Sequence, residues 1–184
     1  MQIHQLSLTY DEIEDRILLR VNTTDESEAL FWFTRRMTFH ILPTLPQVLA
    51  EQMALTAPMN TPMHSELVKG LFGELMGQEL LQRSDFSTPY KSAIHSLTEG
   101  RPLLVTEIHL ETQKNGHTLC VLSERPADPQ LKRSYQLHLT PQLLRGLLHL
   151  LEEVLPKSGW QAPIKAHKPD GSAALQSLPK GLLN

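Results

Sequence analysis

A single cysteine, Cys120, is present in the chain, so neither an intramolecular disulfide nor a cysteine-cluster metal site can form. Long apolar runs are missing too: none approaches the roughly 18 to 20 residues that a membrane-spanning helix needs. The opening stretch, MQIHQLSLTYDE, has neither the basic nor the apolar region of a secretory signal. There is no Walker loop, no GxGxxG, no GxSxG, no HExxH and no CxxC, the patterns that mark nucleotide binding, acyl transfer, zinc proteolysis and thiol redox chemistry. Positive charge is not in excess either. A net charge of −3 at pH 7 argues against binding nucleic acid through bulk electrostatics. These absences lead us to expect a cytoplasmic protein with no cofactor and no membrane association.

What is present is an ordinary globular composition with an uneven charge. Asp11, Glu12, Glu14, Asp15, Asp25, Glu26 and Glu28 crowd the loops near the N-terminus, whereas residues 157–184 carry Lys157, Lys165, Lys168 and Lys180 against Asp170. That end of the chain is rich in Pro, Gly, Ser and Lys and predicts a flexible basic tail, unless Trp160 and Ile164 anchor it.

Two stretches are organised alike. Ile3, Leu6 and Leu8 fall on Val105, Ile108 and Leu110, and Ile17 and Leu19 fall on Leu119 and Val121, at a constant offset of about 102. After a loop longer by about four residues, Phe33-Thr34 falls on Leu139-Thr140 and Val48-Leu49 on Val154-Leu155. The pattern predicts an α+β fold built from a duplicated β-β-β-α unit, with antiparallel sheet or sheets and the helices on one face. Its parts are repeat one at 2–56, a helical insert at 57–100 and repeat two at 101–156, which together make one pseudo-symmetric domain over 1–156, followed by the tail at 157–184.

Within this scheme Ile3 to Thr9, RILLRVNT and EALFWF are strands, the last apolar on both faces and therefore covered twice or part of an interface. Thr34 caps a helix that breaks at Pro43 and Pro46. Thr61-Pro62 starts a helix over 63–82, striped by Leu67, Val68, Leu71, Phe72, Leu75, Met76, Leu80 and Leu81. Residues 84–100 are a linker with at most a short helix at 90–97. Asn115-Gly116 predicts a two-residue type I′ turn. That turn pairs Leu110 with Val121 and sets Ile108, Leu110, Leu119 and Val121 on one face, with Glu107, His109, Glu111, Thr118 and Cys120 on the other. Thr140-Pro141 opens a leucine-rich helix without an internal proline.

Several residues invite a function. Arg35 and Arg36 follow the aromatic strand at a helix start, where they oppose the helix dipole but would hold a partner's carboxylate or phosphate. With Trp32 and Phe31 they form the interaction or anion-binding candidate. Gly70, Gly73 and Gly77 weaken a helix and would let another backbone approach, either from within the chain or from the same helix of a second subunit. Glu107, His109 and Glu111, with His138 one strand away, are metal-ligand candidates, because alternate strand positions can converge on an ion. Cys120 beside a histidine would be a nucleophile, although a mid-strand cysteine is ordinarily inert.

DRILLRVNT followed by LFWFTRR, over residues 3 to 50, resembles a group of uncharacterised bacterial proteins with the pattern DRLLLR…LWLTRR. That resemblance implies a small cytoplasmic bacterial protein and carries no activity with it. The duplicated strand-rich unit closed by a helix is also similar in topology to the PC4/Whirly type of single-strand binders. Their repeats have four strands where three are found here, and their basic sheet surface is not evident. We therefore expect a non-enzymatic interaction or regulatory protein that forms a homodimer and also engages another protein. The alternatives are a single-stranded nucleic-acid binder and a metal-dependent enzyme.

Overall fold

A computed structural model describes residues 2–56, 66–126 and 128–162. The chain runs β1 (Ile3–Asp11), β2 (Arg16–Thr23), β3 (Ser27–Thr34), α1 (Arg35–Ile41), α2 (Leu45–Thr56) and α3 (Glu66–Gln82). Two short strands follow, β4 (His95–Ser96) and β5 (Leu103–Leu104), and then β6 (Glu107–Thr112), β7 (Thr118–Glu124), β8 (Arg133–Leu139) and α4 (Pro141–Ser158). The architecture is α+β, as expected.

Strands β1, β2 and β3 pair antiparallel, and β4 and β5 both add to β3 in parallel, which makes this sheet mixed rather than purely antiparallel. Strands β6, β7 and β8 form a second, antiparallel sheet. Alternation along each strand decides what is buried. Ile17, Leu19 and Val21 of β2, Ala29, Phe31 and Phe33 of β3, and Leu137 and Leu139 of β8 enter one core. Ile41, Leu45, Val48, Leu49 and Met53 of α1 and α2, and Leu144, Leu148, Leu151 and Val154 of α4, close that core. Helix α4 lies mainly against β1 rather than against the strands that precede it, while α2 reaches β6.

The helix boundaries follow local rules. Thr34 and Thr140 are both N-caps with extended backbone, accepting from the amides of Met37 and Leu143. Pro43 falls in the break between α1 and α2, as the sequence predicts, whereas Pro46 lies within the first turn of α2, where its missing amide costs no helix bond. Helix α4 continues beyond Pro156 to Ser158 and stops at Gly159, whose φ of 65° is the left-handed cap that glycine allows. The ordered fold thus passes residue 156. Trp160 packs edge-on against Tyr10 at 5.6 Å and donates from Nε1 to Asp15 at 2.6 Å, anchoring the start of the expected tail. Ile164 and the rest of that tail lie outside the described residues, as do Thr61 and Pro62.

Three expectations need correction. The second hairpin pairs Leu110 with Cys120 and Ile108 with Leu122, one residue away from the predicted register. Its loop is Lys114-Asn115-Gly116, with only Gly116 at positive φ, closed by the Gly116 amide on the Gln113 carbonyl at 2.9 Å and the Gln113 amide on the His117 carbonyl at 2.8 Å. That is a three-residue loop with a glycine bulge, not a type I′ turn. A one-residue slip turns a whole strand over. Cys120 and Leu122 face the core, and Leu119 and Val121 take the outside.

Second, the stretch expected as a helical insert is only partly helical, since residues 84–100 are a linker without the short helix that was allowed at 90–97. They pass beside the first sheet in bends and turns around the short β4, and there the Gln5 side chain donates to the carbonyls of Thr88 and Pro89, and Asn22 donates to that of Lys91 at 2.8 Å. The expected helical insert is therefore helical, among its described residues, only in α3. Third, the apolar stripe of α3 is divided. Phe72, Met76 and Leu80 pack on the core, while Leu71 and Leu75 are more than half exposed.

A turn with both central residues at positive φ does occur, at Glu99 (54°) and Gly100 (73°), closed by the Arg101 amide on the Thr98 carbonyl at 2.9 Å. Glutamate resists this conformation, whereas asparagine accepts it. Glu99→Asn should raise unfolding stability by about 0.5–1 kcal/mol in a urea titration.

Candidate functional site

The outer face of the first sheet carries side chains that do not belong to the core. Leu18, Trp32 and Leu104 occupy aligned positions on β2, β3 and β5, because Leu18 pairs with Trp32 and Trp32 with Leu104. All three are half-buried, and none packs against the core cluster. They form an apolar row across three strands, continued by Thr9 on β1. On one side lies the row Ser7, Arg20 and Leu30; on the other lie Asp11, Arg16 and Thr34. An aromatic ring and two arginines bordering an apolar row form the residue set that interface hot spots favour.

The segment after α3 shapes one border of this face. Tyr90 donates to Glu28 at 2.7 Å, and burial together with that carboxylate pushes its phenol well above the ordinary tyrosine range. Arg20 lies close enough to oppose part of that shift. The Arg20 Nε is buried and has no hydrogen-bond partner among the described residues. A buried donor in that state favours an incoming acceptor.

The residues singled out from sequence are not all brought together. Trp32 lies on this face, but Phe31 points the opposite way, fully buried, its ring in a T-shaped contact with Tyr135 at 5.7 Å between centroids. Adjacent strand residues cannot share a face. Arg35 and Arg36 are exposed in the first turn of α1, and the Arg35 guanidinium donates to the Gln161 carbonyl at 2.7 Å. Leu18, Arg20 and Leu104 were missed. The signal was available in RILLR, whose alternation leaves Leu18 and Arg20 opposite Ile17 and Leu19.

Two of the three α3 glycines lie close to other parts of the chain. A Cβ on Gly73 would sit 2.9 Å from the Ala50 Cα, and one on Gly77 would touch Arg145 and Leu49 at 3.4 Å, while Gly70 faces open space. In the metal-ligand set, Leu119 lies between Glu111 and His138 in the ladder, leaving those two about two strand spacings, roughly 10 Å, apart. Glu107 is held by Arg125 and Lys132 at 2.7 and 3.0 Å, and the Lys132 hydrogen bond chiefly lowers its carboxyl pKa. His109 stands opposite Val121. Among the described residues no group of three or more His, Cys, Asp or Glu side chains is placed to hold a metal ion. Cys120 is buried against Leu110 and Leu137, and desolvation pushes its thiol up to about 12. Such a thiol is not a nucleophile at neutral pH.

A second polar constellation joins the β1–β2 turn to the residues that follow α4. Asp15, at φ 49°, accepts from Tyr10 at 2.7 Å and from Trp160 at 2.6 Å, and these bonds hold its carboxyl below the usual aspartate range. A lowered folded pKa means that the clasp contributes stability above the unfolded-state value, about 3.9, and loses it as pH falls through the folded-state value. In a Trp32→Phe background, which leaves Trp160 alone to report, emission should stay constant down to ordinary aspartate pH and change only below it. Asp15→Asn keeps an acceptor but does not titrate, and should abolish that transition.

No helix among the described residues is long and apolar enough to cross a membrane. Comparison of the chain with protein-family models, with curated proteins and with solved structures finds no match.

Proposed function

We propose that the chain is a non-enzymatic interaction protein of the cytoplasm that forms a homodimer through the outer face of its first sheet. One observation carries this reading: Leu18, Trp32 and Leu104 line up across three strands on the face turned away from the core. A two-fold interface brings the same patch of both subunits together, so each apolar row would cover its copy, with Arg16 and Arg20 at the rim.

The architecture behind it is, in this reading, a duplication. Leu8, Leu19 and Phe31 stand side by side as Leu110, Cys120 and Leu137 do, and Ile17 faces Phe33 as Thr118 faces Leu139. The match needs an offset of about 102 on the first strand, 101 on the second and 106 on the third, as expected if loop lengths changed after copying.

Light scattering at two salt concentrations tests the dimer. The expected mass is twice the 20.8 kDa chain, insensitive to salt, and reduced to the monomer by Leu18→Asp or Trp32→Ala in a protein that remains folded. A monomer throughout would sink the proposal. Trp32 set among arginine-bearing rows also suits stacking of a single-stranded base. If the protein instead carries nucleic acid that high salt removes, with a raised 260/280 nm absorbance ratio, the single-strand reading takes first place.

A further inference from the structure

A groove of about 850 Å³ lies between α2, α3 and α4, on residues separate from the sheet face described above. Leu49, Leu71 and Leu148 contribute its apolar surface, and Leu71 is 54% exposed. One turn further along α3, Leu75 is exposed as well. Three carboxylates line the groove, Glu51, Glu74 and Glu152, against one cation, Arg145, whose guanidinium already bonds Glu152 at 3.4 Å. The surface is thus apolar with a net negative rim. From Gly70 to Gln78 it extends about 12 Å along α3, or two helical turns.

We propose that this groove docks a cationic amphipathic helix of a partner protein. The groove walls are helices, whose backbone groups are already paired, so there is no strand edge on which an extended peptide could add itself. A helix placing apolar side chains at i, i+3 or i+4, and i+7 would cover Leu71 and its neighbours, and lysines or arginines flanking that stripe would meet Glu51, Glu74 and Glu152. An acidic helix would be repelled by the rim. A wholly apolar one would strip water from three carboxylates without pairing them, which is unfavourable.

Fluorescence anisotropy on the full chain provides the test. The probe is a labelled leucine–lysine peptide of about five turns in amphipathic helical pattern, and its counterpart carries glutamate in place of lysine. The lysine peptide should bind and the glutamate peptide should not. Leu71→Asp and Glu74→Lys should each weaken binding about tenfold or more, while Trp32→Ala leaves it unchanged. Leu71 is exposed enough to accept a charge, and Leu71→Ala gives a milder variant should Leu71→Asp fail to fold. Equal binding of the two peptides, or binding unaffected by both Leu71→Asp and Glu74→Lys, overturns the proposal. Two further results also overturn it: peptide binding that appears only after residues 163–184 are removed, which makes the chain's own end the occupant, and a dimer that Leu71→Asp dissociates without any peptide binding, which makes it a second copy.

Discussion

Phe31→Ala is expected to destabilise the protein by about 3–5 kcal/mol, the usual result of emptying a buried aromatic site, whereas Trp32→Ala one residue later should cost far less. Phe31 is fully buried and sits where the two sheets meet. Its strand neighbour on β2 is Leu19, its parallel neighbour is Leu103, and its ring makes a T-shaped contact with Tyr135 of the second sheet. Tyr135 in turn donates to the Leu97 carbonyl at 2.8 Å, fixing the segment that leads into β5. Removing the Phe31 ring therefore opens a void bordered by three separate parts of the chain, none of which can close it without moving its own strand. For a chain of this length each kcal/mol lowers the midpoint by roughly 2–4 °C, so thermal unfolding should shift by about 10 °C. Trp32 makes the complementary case. Its ring is on the other face, outside the core cluster, so its loss should appear in the association measurement and hardly in the melting curve. A small shift for Phe31→Ala, or a large one for Trp32→Ala, would mean that the inside and outside of β3 have been misassigned.

That contrast also marks where the sequence was legible. Strand alternation and capping chemistry act over a few residues, so Ile17, Leu19 and Val21 and the two threonine caps could be placed from the local order of residues alone. The turn at Asn115-Gly116 could not. Both the two-residue and the three-residue loop place a glycine at positive φ, and only packing of Cys120 and Leu122 against the core selects the second. The outer-face row was hidden for a related reason. Leu18 and Trp32 pair across neighbouring strands, but Leu104 joins them through a parallel pairing between β3 and a two-residue strand about 70 residues later in the chain. Nothing local to Leu104 reports that neighbour. The same limit divided α3. Its apolar residues have helical spacing, but which of them meet the core depends on where α2 and α4 lie, and that left Leu71 and Leu75 outside.

The three glycines of α3 should respond to alanine in three different ways. Gly73→Ala should destabilise the protein by about 1–3 kcal/mol, the usual range for overpacking. The added Cβ would lie 2.9 Å from the Ala50 Cα and 3.0 Å from its Cβ, so α2 and α3 must separate for it to fit. No flexible side-chain end is available there to give way. At Gly70 no atom lies within 4 Å of the added methyl, so Gly70→Ala should stabilise the chain by up to about 1 kcal/mol, the difference in helix propensity. Gly77 lies between these limits. Its Cβ would meet the Arg145 Cδ and the Leu49 Cδ2 at 3.4 Å, contacts that side-chain adjustment can relieve, and the propensity gain should roughly cancel the strain. Urea unfolding of the three variants checks the order. It also separates two uses of the helix. If the glycines serve the approach of α2 within one subunit, the order is 70, 77, 73 from most to least stable, and the mass in solution is the same for all three. If α3 instead packs on α3 of a second subunit, Gly70→Ala is the variant that loses the dimer, because its open side is the one left for a partner.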